Sequence, residues 1–387
     1  MSDKVKTLVF IQMAGSKTGS GTGGGIAFQE VLAKSLLEKG INVYAISNPS
    51  DTYGFRFLGS NRLVANFSKH LNGLGDLLWF DRKRLKSEIR SLVSSLPEDA
   101  LFVTVDPFPA DILAASVIKM SGRRVVITIH HITPSPLFHP IRRGTLRSMV
   151  AWIISLNALI FVKIGNVPFF LDNKRIASEL GWKFGKNMME MPLALPTYAS
   201  EIARKRKKKA CFLGRLAKNK GVVDIIRAWS LVKRQDPDAI LYIIGKDYGK
   251  GKYQRLVSRY KLHGSILITG FLEERAKLEI MRECSLFIFP SYEEGWSLAV
   301  MEAVDAGLLP IVYDIPAYDY LCSHENKVRV SDIKELASKV VHYFNHEDER
   351  LQLVAKLQRC ISAYTIESVT DLWIEQVESY FSESEEK

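Results

Sequence analysis

Residues 210–221 read ACFLGRLAKNKG, and this stretch decides the fold. A short strand-like run, Ala210–Leu213, stops at Gly214. A basic loop follows, and a helix is expected to begin near Val222. A short apolar run, a glycine turn and a longer helical pattern form the repeating unit of a parallel α/β sheet. Downstream the unit recurs, with strands expected at Ile240–Ile244, Ile266–Thr269, Leu286–Phe289 and Pro310–Val312. Upstream the strand candidates are Thr7–Gln12, Asn42–Ser47, Leu101–Val105, Val125–His130 and Ala158–Val162. Between the first two strands, Phe28, Leu32, Leu36 and Leu37 give Ala27–Lys39 helical spacing. Two prolines in MPLALPTYAS, residues 191–200, interrupt the pattern. The expected architecture is α/β, with two doubly wound, Rossmann-like domains facing a central cleft. Their expected bounds are residues 1–197 and 198–364, with a C-terminal helix over about 365–387 packing back on the first domain. Ligands in such sheets bind outside the carboxyl ends of the strands.

Length and composition agree with this reading. A chain of 387 residues accommodates two domains. Apolar residues at 47% and charged residues at 25% exclude disordered, collagen-like and coiled-coil classes. The net charge of +11 is unevenly placed: residues 1–200 hold 24 basic and 14 acidic side chains, so +10 falls in the first half and +1 in the second. That half is expected to face something acidic. Cys211, Cys284, Cys322 and Cys360 contain no Cys-x-x-Cys pair, so neither a disulfide framework nor a zinc site is readable. The opening MSDKVKTLVF lacks the apolar stretch of a signal peptide, and a cytoplasmic location is expected. The longest apolar run, Met149–Val162, is shorter than the ~20 residues that span a bilayer. It reads as a buried helix followed by a strand. A membrane-surface element is the alternative, because Arg142, Arg143 and Arg147 lie just upstream.

Four places carry chemistry. GSGTGGG at 19–25 precedes the first helix, where glycines allow close approach of backbone N–H groups to a ligand. Gly19, Gly21 and Gly24 match a dinucleotide fingerprint formally. Six residues separate them from the strand, however, and the second strand ends in Ser47 and Asn48 with no acid for a ribose diol. In the second place, Arg215 and Lys220 leave the strand end at Leu213 five residues apart, a pairing suited to a diphosphate or simply an exposed basic loop. The third is PSYEEGWSLAVMEAVDAG at 290–307. Glu294 lies in the loop after a strand, Gly295 opens the backbone, and a helix is expected from near Ser297 with Glu302 in its second turn. A carboxylate there can accept two hydrogen bonds from a vicinal diol such as ribose; otherwise it is a solvated surface acid. The fourth is His130, at the carboxyl end of a strand in ITIHHITP, with His131 and Asp106 as weaker candidates.

FLGRLAKNKG, PSYEEGWSLAVMEA, and between them ILYIIGKD and ITGFLEE, resemble the retaining, metal-independent group 1 glycosyltransferases of the GT-B fold, glycosyltransferase family four. The likeness covers essentially the whole chain. It implies a hexosyltransferase that takes a nucleotide-diphosphate sugar, a UDP- or GDP-sugar, with no cofactor and no metal. By that resemblance Arg215 and Lys220 neutralise the donor diphosphate, and Glu302 holds the ribose hydroxyls. Glu294, with the backbone of Gly295, Trp296, Ser297 and Leu298, contacts the transferred sugar and phosphate. Phe271 and Leu272 border the nucleobase, Gly23, Gly24 and Gly25 close over the diphosphate from the first domain, and His130 bonds the donor sugar. The first domain resembles the acceptor-binding half, and its basic charge is expected to meet anionic lipid or a lipid-linked, phosphate-bearing glycan acceptor.

The chain departs from the family pattern in three places. Leu193–Pro196 replace the usual Asn-Gly-Val-Asp, Ser297 stands at a glycine or proline position, and LLPIVYDIPAYDYL lacks the expected glycine and glutamate. These leave the diphosphate and ribose contacts in place and bear on sugar specificity. Asp236-Pro-Asp238 is the only Asp-x-Asp string and lies far in sequence from the motifs, so no metal is expected. Two other classes compete: a nicotinamide (NAD) oxidoreductase using Gly19–Gly24, and a non-catalytic basic membrane or nucleic-acid binder using RKRKKK at 204–209. Nucleic acid is not the expected partner.

Overall fold

A computed structural model describes residues 5–13, 24–48, 55–66, 81–130, 132, 146–179, 185–194, 208–247 and 251–385. The chain divides into two compact units, Met1–Ala194 with Ile366–Lys387, and Leu195–Thr365.

In the first unit the order is β1 (Thr7–Gln12), α1 (Gly24–Glu38), β2 (Asn42–Ser47), β3 (Arg62–Val64), α2 (Arg82–Ser94), β4 (Leu101–Thr104) and α3 (Pro109–Met120). There follow β5 (Arg124–Ile129), α4 (Leu146–Ile164), β6 (Phe169–Leu171), α5 (Lys174–Glu179) and β7 (Met188–Glu190). The sheet runs β3-β2-β1-β4-β5-β6-β7, with every pair parallel. Parallel strands are covered on both faces, so β1 and β4 read as continuous apolar runs and are buried throughout. Helix α2 shows how sequence sets a face: Leu85, Ile89 and Val93 recur every four residues and are buried, and Asp81 accepts the Arg84 N–H at 2.9 Å to cap the first turn.

The second unit contains β8 (Lys209–Leu213), α6 (Val222–Gln235), β9 (Ile240–Ile244), α7 (Lys252–Arg259), β10 (Ile266–Gly270), α8 (Glu274–Glu283) and β11 (Leu286–Phe289). It continues with α9 (Leu298–Asp305), β12 (Leu309–Tyr313), β13 (Lys327–Val328), α10 (Ile333–Asn345) and α11 (Glu347–Ile361). Its parallel sheet runs β10-β9-β8-β11-β12-β13. The strand order therefore reverses direction between β8 and β11, and the crevice at such a point is where this kind of sheet takes ligands.

The last helix, α12 (Ile366–Glu385), belongs to the first unit. Trp373 is buried and packs against Phe170 with ring centroids 5.5 Å apart. The Gln376 amide donates to the Glu190 carbonyl at 2.9 Å, and Thr370 Oγ1 donates to Ser35 Oγ at 2.9 Å.

One expected element is different. Ala158–Val162 is not a strand but the second half of α4, and the strand paired with β5 is Phe169–Leu171. The run from Met149 continues at helical spacing, with Ile154, Ala158, Leu159 and Val162 buried and Ile153, Ile160 and Ile164 exposed. The first helix begins at Gly24, three residues earlier than its apolar spacing indicates. Gly23, His131 and residues 204–207 lie outside the described residues.

Candidate active site

The two loops at the reversal point of the second sheet are joined residue by residue. After β8 the chain passes Gly214 and an exposed Arg215, makes a tight turn over Lys218–Lys220 and enters α6. After β11 it passes Pro290 to Ser297 and enters α9. The Asn219 carbonyl accepts the Tyr292 N–H at 2.9 Å and the Ser291 hydroxyl at 3.1 Å, while the Asn219 amide donates to Glu293 Oε1 at 3.0 Å. Gly221 sits at φ +69°, and a Cβ on it would stand 2.1 Å from the Pro290 carbonyl oxygen. Only glycine lets the backbones approach this closely. Beneath them, Asp224 in the first turn of α6 accepts hydrogen bonds from the Tyr292 and Tyr313 hydroxyls.

That juncture brings Lys220 and Glu294 into a direct ion pair, with both side chains largely covered. Two tyrosines lie close enough to Glu294 to feel its charge. Burial pushes the phenols of Tyr318 and Tyr320 well above their usual range, and the nearby Glu294 charge adds to the shift. Trp296 stacks on Tyr320 with centroids 4.6 Å apart and meets Tyr364 edge-on. Ser297 takes a left-handed backbone conformation, φ 80° and ψ 80°, at the entry to α9. That strain at a non-glycine residue fits the glycine expected at this position but not the proline, whose ring holds φ near −65°.

Glu302 lies in the second turn of α9, as its spacing from Glu294 indicates. Its Oε2 accepts from Lys277 Nζ at 2.9 Å, and the same ammonium reaches Glu274 Oε1 at 2.8 Å. Burial works against the Lys277 charge, but the two carboxylates outweigh it and hold its pKa above the ordinary value. Burial raises the Glu302 pKa, with Lys277 opposing the rise. Sequence reasoning missed Lys277. Its signal was a lysine one helical turn before Met281 on the buried face of α8. Phe271, about half exposed, and Leu272 follow β10 on the strand side remote from β11.

In the first unit, the carboxyl ends of three adjacent strands each carry a titratable group: Asp106 after β4, His130 after β5 and Asp172 after β6. His130 Nδ1 is 2.9 Å from Asp172 Oδ1, and both side chains are mostly covered. Asp172 was also missed, because the strand preceding it was expected at 158–162. Gly24 and Gly25 open α1. Among the described residues no group of three His, Cys, Asp or Glu side chains is arranged to hold a metal ion. Asp236, of the Asp-x-Asp string, is engaged by Lys208 and Asn345.

Comparison with known proteins falls on the same loops. Residues 198–359 match the model of the family "Glycosyl transferases group 1". This segment resembles that family. It contains Arg215, Lys220, Glu294 and Glu302. A GDP-mannose:cellobiosyl-diphosphopolyprenol alpha-mannosyltransferase of Xanthomonas campestris is 24% identical over 142 residues, covering 36% of this chain and 37% of the relative. A poly(glycerol-phosphate) alpha-glucosyltransferase of Bacillus subtilis is 27% identical over 181 residues, covering 46% of this chain and 25% of the relative. The matches to the first three curated relatives span between 37% and 48% of those proteins' length. In fold, the chain matches the Anabaena protein HepE, solved in complex with UDP and glucose, over 97% of this chain and 100% of that one, with a TM-score of 0.73 and 14% identity. The architecture is GT-B.

Proposed function

We propose that the chain is a retaining, metal-independent glycosyltransferase that moves a hexose from a nucleotide-diphosphate sugar to an acceptor hydroxyl. The observation that carries this reading is the pairing of Lys220 with Glu294 across the reversal point of a group 1 domain, with Glu302 in the second turn of the adjoining helix. Breaking the sugar–phosphate bond builds negative charge on the leaving diphosphate and positive charge at the anomeric carbon. Arg215 and Lys220 neutralise the first, and the open N–H groups at the start of α9 add to them. Lys220, already beside Glu294, then places the phosphate next to the carboxylate that contacts the transferred sugar. Glu302 accepts the ribose hydroxyls with the oxygen that Lys277 leaves available. Phe271 and Leu272 border the base. The leaving phosphate takes the acceptor's proton on the face from which it departs, so no carboxylate nucleophile is required.

In this reading the second unit binds the donor and the first, with His130 and the segment around Gly23, Gly24 and Gly25, serves the acceptor and the sugar. Names among the relatives, a diphosphopolyprenol acceptor and a poly(glycerol-phosphate), support an acceptor that carries phosphate. The surface of the first unit supports docking on an anionic membrane. Helix α2 exposes Arg82, Lys83, Arg84, Lys86 and Arg90, and α4 exposes Met149, Ile153, Ile160 and Ile164. Among the described residues no helix is long and apolar enough to cross a membrane. In this reading the association is peripheral, each basic residue near the surface adding about 1 kcal/mol.

Thermal unfolding with UDP, GDP, ADP or NAD tests the donor assignment. A ligand at a hundredfold its dissociation constant adds about 2.7 kcal/mol. Stabilisation by one nucleoside diphosphate and not by NAD is expected; the reverse would favour an oxidoreductase using the Gly19–Gly24 loop.

A further inference from the structure

Three neighbouring strands of the first sheet end in Asp106, His130 and Asp172, and the three groups are gathered in a largely buried cluster. Two carboxyls and an imidazole cost a great deal to bury together. Polar clusters of this kind concentrate at functional sites. The His130–Asp172 contact at 2.9 Å involves Nδ1, which leaves Nε2 as the ring nitrogen that Asp172 does not engage. Among the described residues Nε2 is buried without a hydrogen bond of normal geometry. The Val105 carbonyl lies near the ring but does not complete one.

We propose that Asp172 is a positioning residue for His130: its carboxylate holds the proton on Nδ1, fixes the ring plane and presents Nε2–H as a charged donor to an oxygen of the bound sugar. This rests on the transferase reading for the identity of the ligand, but the geometry of the pair does not. Burial alone pushes the imidazole pKa down. Asp172, by charge and by hydrogen bond, and Asp106, by charge, outweigh burial and raise it above the ordinary value. Asp106 is itself pushed up to about 6 by burial, against the opposing His130 charge. Asp172 is also raised by burial, with His130 opposing. Asp106, Asp172 and the Val105 carbonyl are the groups that act on the ring. As pH rises through about 6, Asp106 ionises, and the charges of two carboxylates then act on the imidazolium. This arrangement extends the charged form of His130 to higher pH than a free histidine reaches.

Nitrogen-15 NMR of the His130 ring in the full chain tests the inference without substrate. The expected pattern is a proton on Nδ1 and a titration midpoint above that of a free histidine. In Asp172→Asn the midpoint should fall by about one unit or more, and Asp172→Glu should restore most of the shift. Under turnover, the alkaline limb of kcat against pH should move to lower pH in Asp172→Asn and return in Asp172→Glu, with KM for the acceptor little changed. A wild-type His130 that titrates at or below the free value, or that carries its neutral-form proton on Nε2, overturns the proposal even if Asp172→Asn fails to fold. A kcat–pH profile of Asp172→Asn superimposable on wild type also overturns it. If no transfer activity is found but the NMR pattern is as expected, the positioning stands and the transferase reading fails.

Discussion

Lys277 Nζ bridges two carboxylates, 2.9 Å from Glu302 Oε2 and 2.8 Å from Glu274 Oε1, with its own side chain only 9% exposed. A buried ammonium so placed is expensive unless paired, and here the pairing opposes the rise that burial imposes on the Glu302 pKa. Glu302 is thus an oriented carboxylate with one oxygen already held.

Replacing Lys277 with Met should therefore act on nucleotide binding through charge. Glu302 loses the group that opposes its burial-raised pKa, so its carboxyl stays protonated to higher pH. Affinity for the nucleoside diphosphate should fall about tenfold at neutral pH. It should also recover as pH rises, a dependence weaker in wild type. Calorimetric titration at several pH values checks this; a uniform loss at all pH values would mean that Lys277 acts only in packing.

Lys220 and Glu294 neutralise one another before any diphosphate arrives. Glu294→Gln should tighten nucleoside diphosphate binding roughly threefold to tenfold, because the ammonium no longer has a competing anion, while transfer falls severely. Lys220→Ala should weaken binding by about tenfold or more and also reduce transfer. Opposite signs on affinity with the same sign on turnover are the signature to measure. Loss of affinity in both variants would contradict the pairing.

Gly221 and Gly264 have similar backbone angles, φ +69° and +77°, but different surroundings. A Cβ at Gly264 meets nothing within 4 Å, whereas at Gly221 it strikes the Pro290 carbonyl. Gly264→Ala should cost about 1–2 kcal/mol for the left-handed conformation alone. Gly221→Ala should cost at least about 2 kcal/mol more and should separate the two site loops. Chemical denaturation of both variants reads the difference.

Asp106 has a folded-state pKa of about 6, above its value in an unfolded chain. Stability from such a group is fully present below the unfolded pKa, near 4, and is lost as pH rises through about 6. Asp106→Asn removes that loss. The variant should gain on the order of 2 kcal/mol relative to wild type at pH 8 and almost nothing at pH 4. Melting temperatures across that range check the sign.

Much of the second unit was legible because its strands are short apolar runs bounded by glycine, and because Lys220, Glu294 and Glu302 lie in local motifs. The first unit was harder. Ala158–Val162 is a continuous apolar run that periodicity alone does not distinguish from a strand, while the true strand, Phe169–Leu171, is three residues long. Strands β3 and β13, at three and two residues, gave no pattern at all. The partners that tune the site were hidden for another reason. Lys277 and Glu302 are 25 positions apart, and His130 and Asp172 are 42 apart. Contacts of that span appear only once the fold sets distant helices and strand ends side by side.

The most direct test of the central claim is to incubate the full chain with UDP- and GDP-hexoses and lipid extracts, following nucleoside diphosphate release and the anomeric configuration of the product. The account predicts release of one nucleoside diphosphate per glycoside formed, retention of configuration, persistence in a metal chelator, and loss in Lys220→Ala. Inverted product, dependence on added metal, or turnover undiminished in Lys220→Ala would contradict it.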